Sequence, residues 1–176
     1  MQHERVIRGR RVEDDVWVVL GFAPHEDLAA ELPAGAVIVP LSAWKARRDE
    51  IVARGGLLGV WLAPADDPAQ IAADLDRFSV VAVHFPKFTD GRGYSTAALL
   101  RTRYGYRGEL RAFGDVGRDQ LFNLARCGFD SFKLAAHRDP ESAIAAFADF
   151  SVRYQGSVDD PAPLFRKRAA AGGIPG

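Results

Sequence analysis

Lys87, Asp90, Gly91, Arg92 and Gly93 crowd into one short stretch, FPKFTDGRGYS, between an apolar run and a helical pattern. Glycines there let the backbone approach a ligand, and a helix opening after them presents unpaired N–H groups and a positive dipole end. Lys87 and Arg92 add charge-assisted donors. The chemistry that fits is the binding of a small oxyanion such as phosphate, sulfate or sulfite. An ordinary turn fits the same residues: Asp90 capping, Gly91 and Gly93 at positive φ, Arg92 paired with a neighbouring carboxylate. G-x-G without a longer motif does not choose between the two.

A second loop, AFGDVGRDQ, offers Asp115 as a base or orienting ligand and Arg118 as an anion clamp. Its residues equally suit a helix opening. If both loops share a rim, Arg92 and Asp115 become neighbours. His84, near the end of SVVAVH, is the other acid–base candidate, or a hydrogen-bonded core residue. His137 and Arg138 follow the last apolar run. His3, His25 and His137 are scattered, without a carboxylate or cysteine at metal-ligand spacing, so no metal site is expected.

Cys127 is the single cysteine. It excludes an internal disulfide, a cysteine-ligated iron–sulfur cluster within one chain, and a two-cysteine redox motif. Tyr94, Tyr104 and Tyr106 with Arg101, Arg103 and Arg107 offer either a stacking surface or a solvated helix face. Lysines plus arginines equal aspartates plus glutamates, 23 each, which argues against a nucleic-acid partner. No apolar run approaches the ~20 residues of a membrane span, and MQHERVIRGRR lacks the apolar core of a secretory signal. A cytoplasmic location and no membrane partner are expected.

The elements that must position these loops alternate between two periods. RVIRGRRVEDDVWVVLG predicts an N-terminal β-hairpin at about 5–20. AVIVPL, GLLGVWLAP, SVVAVHF, ELRAFGDV and SFKLAA read as strands, each followed by a helical pattern. Ser42, Asp67 with Pro68, and Asp139 with Pro140 mark helix starts, and Gly55 a helix stop. Trp44, Ile51 and Val52 share a helix face. The unit recurs five times at roughly 25-residue spacing, which predicts α/β architecture: five βα units on a parallel sheet. An open doubly wound sheet and a partial TIM-barrel-like sheet both fit, and in either the ligand end is the carboxyl end of the strands. Residues 1–155 form one domain and 156–176 a flexible basic tail. An unpaired parallel edge needs cover, which makes a homodimer a further expectation.

PKFTDGRGYS, RYGYRGELRAFGDV, RDQLFNLARCGFDSF and AFADFSVRYQ together resemble a bacterial domain-of-unknown-function family (nine-three-four), often described as an oxidoreductase of sulfite reduction. VPLSAW and GVWLAPADDP match its pattern too, so the likeness covers about residues 35–155. The resemblance implies a role beside assimilatory sulfite reductase, in cysteine biosynthesis. It carries over no catalytic residues. A redox enzyme needs an electron carrier, yet no G-x-G-x-x-G follows the first strand and no Gly-rich cradle suits a flavin mononucleotide, so no cofactor is expected. The combined expectation is an accessory protein docking to sulfite reductase or its electron-donor protein and binding a small oxyanion. The alternative is a small barrel-like enzyme acting on a phosphorylated or sulfonated metabolite, with Asp115 or His84 as acid or base.

Overall fold

A computed structural model describes residues 4–22, 31–87 and 89–145. The predicted tail and the last helix beyond residue 145 lie outside the described residues. Strands β1 (Arg5–Arg8) and β2 (Arg11–Asp14) pair antiparallel as the expected hairpin. The hairpin stops there: β3 (Trp17–Val19) is a separate strand, parallel to β4 (Ala36–Pro40). The chain continues through α1 (Leu41–Arg54), β5 (Leu58–Leu62), a 3₁₀ helix (Pro68–Arg77), β6 (Val80–Phe85) and α2 (Arg92–Thr102). Next come β7 (Glu109–Gly114), a 3₁₀ turn (Arg118–Gln120), α3 (Leu121–Arg126), β8 (Ser131–Lys133) and α4 (Pro140–Ile144).

All the strands join one mixed sheet in the order β2-β1-β8-β7-β6-β5-β4-β3. From β3 to β8 it is parallel, and β1 adds antiparallel to β8. The expected α/β class holds, with an extra parallel strand and an antiparallel margin that replace the purely parallel five-stranded sheet.

Two margins of this sheet are consecutive in sequence, joined only by Asp15 and Val16. Three Cα–Cα steps span at most ~11 Å. Eight strands laid flat would hold their margins ~34 Å apart at ~4.8 Å per strand. The sheet is therefore rolled into a half-barrel, and Asp15–Val16 is a strap across its opening.

Rolling gives the sheet two unlike faces. On the convex face Val37, Val39, Val60, Leu62, Val81, Val83, Phe85, Leu110 and Phe132 pack against Trp44, Ile51, Ile71, Leu75, Leu100 and Leu124 of the helical layer. On the concave face Trp17, Ile38, Val80, Ala82 and Phe113 form a smaller cluster, flanked by Val19 and Trp61.

The local signals act as predicted at several helix ends. Asp67 accepts from the Ala69 N–H, and Asp139 from the Glu141 and Ser142 N–H groups. Gly55 ends α1 at φ +69°. Ser42 is not a cap, because α1 already begins at Leu41 after Pro40. Val52 is exposed while Trp44 and Ile51 are buried. Among the described residues no helix is long and apolar enough to cross a membrane.

Candidate functional site

In the loop FPKFTDGRGYS, Arg92 turns back onto Asp90. Arg92 Nη2 and Nε bond Asp90 at 2.7 and 3.0 Å, and the Arg92 N–H donates to the same carboxylate at 3.1 Å. Those side-chain and backbone donors hold the Asp90 carboxyl down to about 2. Gly91 lies at φ −82°, and neither it nor Gly93 is at positive φ. Gly93 is needed for space instead. A Cβ there would meet the Phe85 ring 2.5 Å away, so the glycine lets α2 settle on β6. Lys87 and Arg118 are exposed on the same rim. Arg92 is spent on Asp90 rather than Asp115, whose carboxylate lies 3.5 Å from Arg138.

A cavity of about 470 Å³ opens one strand further along, at the carboxyl ends of β7 and β8. Lys133 ends β8, Arg138 follows in the next loop, and Arg5 reaches in from β1. Glu4, Phe22, Phe113 and Val19 share the lining, with Phe113 beside Lys133 in the β7–β8 register. Lys87, Asp90, Arg92 and Arg118 do not line it. Arg138 alone was in view, as a residue following the last apolar run. Lys133 and Arg5 were missed because each sits within a strand, where a cation reads as a solvated face.

The cations of the cavity already have acidic neighbours, Arg5 lying 2.7 Å from Glu141. Lys133 Nζ pairs with Glu4 and lies 3.5 Å from Asp15. Asp15 in turn accepts from Arg111 Nη1 through both oxygens, at 2.9 and 3.0 Å. Arg111 also donates to Glu109 at 2.8 and 3.0 Å, and Glu109 receives Arg8. The side chains of Arg111 and Asp15 are both 0% exposed. The barrel interior is thus divided: apolar beneath β3–β6, ionic beneath β7, β8 and the hairpin. The Ser131 hydroxyl is buried within the ionic half and has no hydrogen-bond partner among the described residues.

His84 stands at the junction of the two halves. Its ring packs edge-on against Phe22 at 5.0 Å and tilts over Phe113 at 5.1 Å. Burial pushes the imidazole below its ordinary value, with the Asp90 charge pulling the other way. The folded state therefore favours the neutral ring, whereas the unfolded chain takes up a proton near pH 6.5. The contribution of His84 to stability is whole above that pH and is lost as the pH falls below it. We expect the thermal midpoint to fall between pH 7 and pH 5, and His84→Phe to flatten that slope. An unchanged slope in the variant would show that other groups set it.

Of the two alternatives for the Tyr–Arg set, the stacking surface loses Tyr106 and Arg101 to internal contacts. Tyr106 is buried, its hydroxyl donating to the Phe78 carbonyl at 3.0 Å, and burial raises its pKa. Arg101 is used internally, on the carbonyls of Tyr106, Gly108 and Gly128 and the carboxylate of Asp130. Cys127 is partly buried against the main core.

No curated protein matches the chain. A family profile described as "bacterial protein of unknown function" (DUF934) matches residues 59–165, beginning in β5 and taking in β6–β8, the loops between them and both Lys133 and Arg138. The match spans more than half of the 176 residues, so the chain belongs to that family.

Proposed function

We propose that the chain is an accessory protein of assimilatory sulfite reduction, which docks to sulfite reductase or its electron-donor protein and holds a small oxyanion. One observation carries the binding half of the proposal: Arg5, Lys133 and Arg138, from separate segments, line a single cavity at the ligand end of the strands. The Arg138 guanidinium has spare capacity, since among the described residues its buried Nε has no acceptor and its contact with Asp115 is long, at 3.5 Å. The assignment to sulfur rests on the resemblance of the rim motifs.

Titration calorimetry with sulfite on the full chain tests the binding half. Wild-type protein is expected to bind, and Lys133→Met or Arg138→Ala to weaken binding at least tenfold, about 1.4 kcal/mol. Capture of sulfite reductase or its donor from sulfate-grown cells tests the docking half. Absence of sulfite binding together with absence of both partners from the capture would overturn the proposal.

A further inference from the structure

The same cavity is too large, and too apolar on one side, for an inorganic oxyanion alone. A tetrahedral oxyanion displaces roughly the volume of two to three waters, ~60–90 Å³ at ~30 Å³ each. The cavity offers about 470 Å³. Anchoring an oxyanion on Lys133 and Arg138 leaves most of that volume against carbon. Val19, Phe22, Phe113, Leu134, Ala135 and Ala136 form that remaining wall. Phe22 keeps half of its surface exposed, although it meets the rings of Trp61, His84 and Phe113 edge-on at 5.0–6.4 Å.

Cations and half-exposed aromatic carbon in one lining define an amphipathic guest. Space of this size has ample room for a body of about six carbons attached to one anionic head, the apolar part packing on Phe22 and the head accepting from Lys133 and Arg138. We propose that the cavity takes an organic anion with a compact apolar body, its head a sulfonate, phosphonate or carboxylate. This rests on the oxyanion-binding reading above and narrows it from an ion to an organic acid.

Calorimetry of the full chain at fixed ionic strength, with matched probes, tests the inference. Benzenesulfonate is expected to bind at least tenfold more tightly than methanesulfonate, and phenylphosphonate likewise over methylphosphonate. Benzyl alcohol, which has the body without the charge, is expected not to bind measurably. Phe22→Ala should bring the aryl-to-methyl ratio close to one, and Phe22→Leu should retain part of it, which guards against a collapse of the mouth in the alanine variant. Equal binding of methyl and aryl anions, sensitive to Lys133→Met, would overturn the organic-anion inference and leave oxyanion binding standing. Tight benzyl alcohol binding would overturn the anionic head. No binding by any probe, sulfite included, would remove both readings.

Discussion

Asp15→Ala is expected to destabilise the protein by about 3–5 kcal/mol, the range for breaking a buried ion pair from one side. The truncation removes both acceptors of Arg111 Nη1 and leaves a guanidinium with no exposed surface facing the void. It also takes the Asp15 carboxylate from Lys133 and an acceptor from the Trp17 N–H. Glu109 still holds the other edge of Arg111, which keeps the loss within that range rather than above it. The double replacement Asp15→Leu with Arg111→Met separates charge from packing. Exchanging a buried ion pair for apolar groups of similar volume is often neutral, so the pair should recover most of the stability lost by Asp15→Ala. Urea unfolding read by tryptophan fluorescence checks both. A loss below 1 kcal/mol for Asp15→Ala would mean that water reaches Arg111.

Gly114→Ala carries the second large expected effect, roughly 2–6 kcal/mol, because strain and overlap add. Gly114 sits at φ +104°, where a side chain costs of order 1–3 kcal/mol. The new Cβ would collide with the Phe85 carbonyl oxygen and lie 2.8 Å from His84 Cδ2. Overpacking adds ~1–3 kcal/mol where the neighbour cannot yield. Here it cannot, since that carbonyl accepts the Asp115 N–H at 2.7 Å and so fixes the exit of β7. His84 would be pushed toward Phe22 and the cavity. The variant should therefore melt at lower temperature and show altered near-ultraviolet dichroism from the ring cluster. A midpoint within 2 °C of wild type would show that the β7 exit relaxes freely.

The parallel strands were legible because the runs from 36 to 41 and from 79 to 85 are apolar on both faces, as strands between two packed layers must be. Asp67–Pro68 and Asp139–Pro140 were legible because a cap acts within three residues. Ser42 failed for the same local reason, since Pro40 already sets the backbone that starts α1. Trp17 could not be assigned to the far margin, because its neighbour Ala36 is set by how far the sheet rolls. The ionic half of the interior left a trace: Glu109, Arg111 and Lys133 occupy alternate positions in strands otherwise apolar. Their partners Arg8 and Asp15 lie about a hundred residues away, beyond what spacing reveals. The cavity cations escaped notice for a related cause. DGRGY concentrates charge and glycine in sequence, whereas Arg5, Lys133 and Arg138 converge only in space.

The pairing of β1 with β8 also has a consequence for biogenesis. Arg8 meets Ser131, 123 positions later, so at 5–20 residues per second the emerging hairpin waits ~6–25 s for its neighbour to be synthesised. Throughout that interval Val6 and Ile7, buried in the finished protein, remain open to solvent and to other nascent chains. Birth on the ribosome therefore leaves β1 among the last of these strands to find shelter.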